Sequence, residues 1–77
     1  MEEFLKQNLY VLINADVGKA EFICSELAKF EEVKTVNCVT GPYDIICLIE
    51  TDNIRGIVVN KIQKMEGVHK TITCLCV

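Results

Sequence analysis

No run in this sequence approaches the ~20 consecutive apolar residues that a membrane-spanning helix requires. Its N-terminus is acidic, with Glu2 and Glu3 and no apolar stretch before Asn8, so it lacks the signature of a secretory leader. The expected location is cytoplasmic, with no membrane partner. There is no CxxC pair, and His69 is the only histidine. Cys74 and Cys76 share a strand face but have no third ligand at a recognisable spacing, so neither a metal site nor a cofactor is expected. Basic residues are few and scattered: eight Lys and Arg against eleven Asp and Glu give a net charge of −3. Unaided nucleic-acid binding, which rests on clustered cations releasing counterions from phosphates, is therefore not expected. Glycine-rich phosphate loops, GxSxG and HExxH are all missing, and no element carries paired acids beside a histidine, so no catalytic residue is nominated.

What is present fits one small domain. A chain of 77 residues buries only about 60% of the surface that its unfolded form exposes, so its core needs support from staples or from association. The five cysteines, Cys24, Cys38, Cys47, Cys74 and Cys76, are odd in number. Each lies inside an apolar pattern, where a reduced thiol acts as a small hydrophobe. Association is the remaining source of support.

The run Asn8 to Ala15 is aliphatic and β-branched, short enough for a buried strand, and Asp16 offers a cap for the helix after it. Ala20, Phe22, Ile23, Cys24, Leu27 and Phe30 lay an apolar stripe on that helix, expected over 17–30. Strands are expected over 33–40 and 43–51, turned at Gly41-Pro42, and then a helix from an Asp52 cap to Met65 with the stripe Ile54, Ile57, Val58, Ile62 and Met65. Gly67 provides a left-handed stop before a last strand, 68–77. The segments Phe30-Glu31-Glu32-Val33 and Met65-Glu66-Gly67-Val68 echo each other. The fold class is α+β: a ferredoxin-like β-α-β-β-α-β sandwich, an antiparallel four-stranded sheet with two helices on one face.

A sheet with one wet face should alternate apolar and polar residues. These strands do not. Leu9, Val11 and Ile13 oppose Tyr10 and Leu12. Tyr43, Ile45, Cys47 and Ile49 oppose Ile46 and Leu48, while Ile72, Cys74 and Cys76 oppose Leu75 and Val77. The face away from the helices would expose more apolar surface than an isolated domain tolerates, so a homodimer formed through the sheet is expected.

Polar, aromatic and backbone-permissive residues converge only at Val39-Thr40-Gly41-Pro42-Tyr43-Asp44. Turn chemistry alone accounts for Gly, Pro and Asp there. A zwitterion site accounts for them equally: backbone N–H groups near Gly41 for a carboxylate, and Asp44 for an ammonium. Thr71 and Thr73 share one face of the last strand and could add hydroxyls, or serve as ordinary β-branched filler.

With YVLIN followed by DVGK, EEVKTVNCVTGPYDIICLIE across the hairpin, and KIQKMEGVHKTIT at the end, the sequence resembles the effector-binding (RAM) domain of the Lrp/AsnC family of feast/famine transcriptional regulators. The resemblance divides the chain into an N-terminal extension, residues 1–7, and the domain, residues 8–77. It implies a ligand site at Gly41, Tyr43 and Asp44, with Thr40, Thr71 and Thr73 as further contributors. It also implies dimers assembled into larger rings such as octamers, with amino-acid effectors bound between subunits. Family members carry a helix-turn-helix domain, for which seven residues leave no room. The resemblance is therefore to a stand-alone form that co-assembles with a full-length regulator. The alternatives are an ACT-like regulatory module of an amino-acid metabolic enzyme, a dimeric ferredoxin-like monooxygenase, and an assembly domain with an empty cleft.

Overall fold

The structure, a computed structural model, describes residues 6–77. Most of the expected extension thus lies outside the described residues, and its last residue, Gln7, begins the first strand. The elements are β1 (Gln7–Ala15), α1 (Ala20–Leu27), β2 (Val33–Cys38), β3 (Ile45–Thr51), α2 (Ile54–Val58), a 3-10 turn (Ile62–Lys64) and β4 (Val68–Leu75). Every pairing is antiparallel and the strand order is β2-β3-β1-β4. This is the expected β-α-β-β-α-β sandwich.

The apolar alternation sets the layers. Leu9, Val11 and Ile13 of β1 pair with Ile49, Cys47 and Ile45 of β3. All six are fully buried against Ile23 and Leu27 of α1 and Ile57, Val58 and Ile62 of the second helical segment. Fully burying a side chain of this size is worth about 1.5–3 kcal/mol relative to leaving it exposed, so this helix-facing layer is the core.

Both helices are shorter than the apolar stripes suggest. Asp16, Val17 and Gly18 form a turn rather than a first helical turn, with Lys19 N donating to Asp16 O at 3.0 Å. At the other end Lys29 N and Phe30 N reach back only three residues, to Glu26 O (3.2 Å) and Leu27 O (3.0 Å). The second helix breaks after Val58 and resumes as the 3-10 turn. Gly56 and a β-branched run give it little intrinsic helicity, so it depends on the packing of Ile57, Val58 and Ile62. Its cap is Asn53, not Asp52: Asn53 Oδ1 accepts from Gly56 N at 3.0 Å. Asp16 likewise caps nothing with its side chain, since the residue preceding α1 is Lys19, which has no side-chain cap.

The internal echo is structural. Val33 N donates to Phe30 O at 3.1 Å and Val68 N to Met65 O at 3.2 Å. In the next step each strand carries one extra residue: the register slips at Lys34, between the pairs Val33–Ile49 and Thr35–Leu48, and at His69, between Val68–Ala15 and Lys70–Asn14. Both are β-bulges, which sharpen the local twist as the strand enters the sheet. Each bulged side chain faces an acid on its partner strand's end, Lys34 Nζ to Glu50 at 3.3 Å and His69 Nδ1 to Asp16 at 3.8 Å. Gly67, before the second bulge, has φ +94 and its missing Cβ would stand 2.9 Å from Lys19 Cβ, so glycine is required there twice over.

Candidate functional site

The hairpin between β2 and β3 is built onto the end of β1. Val39 N donates to Asp44 O at 2.8 Å, closing the loop, and Asp44 N donates to Ile13 O at 2.9 Å. The Asp44 carboxylate takes the Ala15 N–H at 2.8 Å. Asn14 Nδ2 donates to the Pro42 carbonyl, also at 2.8 Å. These contacts shorten both strands relative to the sequence expectation, β2 ending at Cys38 and β3 starting at Ile45.

Thr40, Gly41 and Pro42 are exposed, whereas Tyr43 and Asp44 are half-buried. Gly41 has φ +125, a backbone region that L side chains rarely adopt, and a Cβ there would meet nothing within 4 Å. The turn is thus held open to solvent by conformation, with no packing over it. Asp44, however, is not an idle surface acid: one carboxylate oxygen is committed to the end of β1.

Thr71 and Thr73 sit on the helix-facing side of β4, opposite Ile13 and Val11. Thr71 Oγ1 accepts from Gln63 Nε2 at 3.0 Å, and Thr73 is exposed. They are separated from the hairpin by the whole width of β1. The six candidate residues therefore form two groups within one subunit, Thr40, Gly41, Tyr43 and Asp44 at the tip, Thr71 and Thr73 beyond β1. Asn14 and Gln63, which complete the polar contacts of each group, were not among the expected residues. Asn14, a polar residue closing the apolar run of β1, was the available signal.

A polar cleft of about 620 Å³ opens at the other end of the sheet, lined by Lys34, Glu50, Asn53 and Lys61 among others. Four of its charged residues pair with one another, Lys34 with Glu50 at 3.3 Å and Lys61 with Glu32 at 3.4 Å. A smaller cleft of about 330 Å³ includes Gln63, His69 and Thr71. The hairpin tip lines neither.

The sheet face away from the helices is as apolar as the strand pattern implies. Tyr10 pairs with Leu48 on one side and Cys74 on the other, and Leu12 with Ile46 and Ile72. These six side chains make a continuous patch over three strands. Tyr10 is 43% exposed, and Leu12, Ile46, Leu48 and Ile72 are only half-buried. Polar residues frame it, Asn8 with Glu50 at one end, Asn14 with Lys70 at the other.

No protein-family model matches the chain. Among curated proteins it is 34% identical over 68 residues to the HTH-type transcriptional regulator FL11 of Pyrococcus abyssi, an alignment covering 82% of this chain and 45% of that protein. The chain thus spans about half the length of this relative. Among solved structures, FFRP-DM1 superposes with a TM-score of 0.89 at 28% identity, over 92% of this chain and 99% of that one. Escherichia coli AsnC matches with a TM-score of 0.84 at 20% identity, over 91% of this chain and 50% of AsnC. The Neisseria meningitidis regulator NMB0573, solved as an L-Met complex, matches with a TM-score of 0.83 at 13% identity, over 92% and 49% of the two chains. The last two likenesses bear on the fold alone.

Proposed function

We propose that this chain, which belongs to the Lrp/AsnC family of transcriptional regulators, senses a free amino acid at an interface between copies of itself. The observation that carries the reading is the hairpin tip. An exposed left-handed Gly41 lets a ligand carboxylate approach backbone N–H groups without a Cβ in the way. Beside it, Asp44 is oriented by the Ala15 N–H, leaving its second oxygen for an ammonium. A zwitterion presents one charge to each. Because Thr71 and Thr73 lie beyond β1 from their own hairpin, their hydroxyls serve the site of a neighbouring subunit.

The apolar sheet face supplies the association. A second copy laid sheet on sheet covers Tyr10, Leu12, Ile46, Leu48, Ile72 and Cys74 in both subunits, and dimers join into a ring such as an octamer at the hairpin ends. The relatives are named as regulators, which favours a binding module over the monooxygenase and ACT-like alternatives. With a net charge of −3, the domain does not read DNA by itself. It acts on transcription by co-assembling with a full-length Lrp/AsnC regulator in the cytoplasm.

The test is a thermal-shift panel of the twenty amino acids on the wild type and on Asp44→Asn. One amino acid or a chemically related few should raise the melting temperature of the wild type and leave the variant unmoved. A shift of equal size in both would remove Asp44 from the site, and no shift with any amino acid would leave only the assembly role.

A further inference from the structure

Cys24, in the middle of α1, and Cys38, the last residue of β2, bring their sulfur atoms to 2.7 Å. They are the only pair among the five cysteines for which a sulfur–sulfur contact is observed among the described residues. The contact is well inside the separation of two non-bonded sulfurs and little more than half an ångström longer than a covalent S–S bond of about 2.05 Å. Two different elements supply the thiols, so the pair is placed by the tertiary fold, not by a local motif such as CxxC. Cys38 is exposed at the strand end while Cys24 is half-buried beneath it. Of the two, Cys38 is thus the more open to a small reagent.

We propose that Cys24 and Cys38 are a reversible dithiol–disulfide pair, oxidised by exchange with a low-molecular-weight disulfide. The Cys38 thiolate attacks one sulfur of R–S–S–R, forming Cys38–S–S–R as the reagent's own bond breaks and one RS⁻ leaves. Cys24 then loses its proton to solvent and attacks the Cys38 sulfur. The Cys24–Cys38 bond forms, the mixed disulfide breaks, and the second RS⁻ departs. Two protein thiols are oxidised, one R–S–S–R is reduced to two RSH, and no other oxidant takes part. The geometry also assigns the order of attack. Burial, reinforced by Cys38, Cys47 and Glu21, pushes the Cys24 thiol up to about 12, so Cys24 is a poor first nucleophile and serves as the resolving thiol, held in contact at high effective concentration.

The product is a staple between α1 and β2 that closes residues 24–38 into one loop. It fixes the strand end from which the Thr40–Asp44 hairpin springs. The pair stands apart from the proposed ligand site, and its oxidation is readable whether or not an amino acid binds.

The experiment equilibrates the full chain with graded ratios of reduced to oxidised glutathione, quenches in acid, alkylates and measures intact mass. The oxidised form should be lighter by about 2 Da before alkylation, should keep three alkylatable thiols of the five cysteines, and should yield a Cys24–Cys38 linked peptide. Reduced glutathione should reverse it, and melting should rise by ~10 °C in the oxidised form. Cys38→Ser and, independently, Cys24→Ala should each abolish the 2 Da loss. Five alkylatable thiols at the most oxidised ratio would overturn the proposal. So would a bond at Cys74–Cys76 or between chains, or a lasting glutathione adduct on Cys38 with Cys24 still free.

Discussion

Asp44 and Ala15 lie 29 positions apart in the chain, yet the Asp44 carboxylate accepts the Ala15 N–H at 2.8 Å, so the residue proposed as the ammonium acceptor of a ligand site also closes the sheet end. Asp44→Ala is therefore expected to do two things at once. It leaves a part-buried backbone N–H without its partner, at about 1–3 kcal/mol, and it removes the ammonium acceptor. Asp44→Asn separates them: its amide oxygen can still take the Ala15 N–H, so urea denaturation should place it within ~1 kcal/mol of the wild type while ligand stabilisation is lost. An Asn variant as unstable as the Ala variant would mean that charge, not the hydrogen bond, holds the hairpin.

Gly56→Ala should not stabilise α2 despite alanine's better helix propensity of roughly 1 kcal/mol. The new Cβ would stand 2.5 Å from Asn53 Nδ2 and 2.8 Å from its Cγ, displacing the cap that Asn53 makes to Gly56 N. Asn53→Ala alone should cost about 1 kcal/mol. In that background Gly56→Ala should turn stabilising, because nothing is left to displace. A double-mutant cycle by urea denaturation reads the coupling directly, and additive effects would contradict the contact.

Alkaline pH should unfold the protein earlier than its acids and lysines suggest. Burial pushes the Cys47 thiol up to about 11 from an ordinary 9.0, so between those values the unfolded chain has released this proton and the folded one has not. The unfolded state then binds fewer protons, and stability falls as pH rises, by up to ~1.4 kcal/mol per pH unit for this group. Below 9 the effect vanishes. Cys47→Val, which fills the same space without a thiol, should flatten the decline between pH 9 and 11 in denaturation profiles. An unchanged slope would place its origin elsewhere.

Leu12→Glu puts a carboxylate in the middle of the open sheet face, between Ile46 and Ile72. In the proposed sheet-on-sheet dimer it is buried in both subunits, at roughly 3 kcal/mol or more per copy. The fold should survive, since Leu12 points away from the core. Sedimentation should give a monomer with unchanged far-ultraviolet circular dichroism. A variant that remains dimeric would move the interface off this face.

Element order and strand faces were legible in the sequence because they depend on near-neighbour periodicity, and a period of two says which side of a strand each residue takes. Leu9, Val11 and Ile13, and likewise Ile45, Cys47 and Ile49, share a face as that pattern requires, and in the structure it is the core face. The helix ends were not legible. The helices were expected to start at Val17 and to run on to Met65, but Val17 is fully exposed and the second helix breaks at Val59, where backbone turn bonds overrule side-chain periodicity. Asp16 and Asp52 look like caps by type and position. Asn53 is the cap, a one-residue difference decided by where Thr51 Oγ1 catches the Asn53 N–H at 2.9 Å. For the site, the sequence marked the hairpin tip by its turn residues, while the bonds from Asn14 and to Ala15, made across 28 and 29 positions, carry no local signal. Nor did it show that β1 separates Thr71 and Thr73 from the hairpin, since that depends on the strand order. The closeness of Cys24 and Cys38, on a helix and a strand, is hidden for the same reason.

The most direct measurement is light scattering on the size-fractionated protein, with and without the amino acid that the thermal panel selects. A mass of at least twice the 8.7 kDa chain in its absence, shifted to a larger or more stable assembly in its presence, is the outcome expected of a sensor whose site lies between subunits. An 8.7 kDa particle under both conditions would contradict the account, leaving the apolar sheet face uncovered and the two halves of the site in separate molecules.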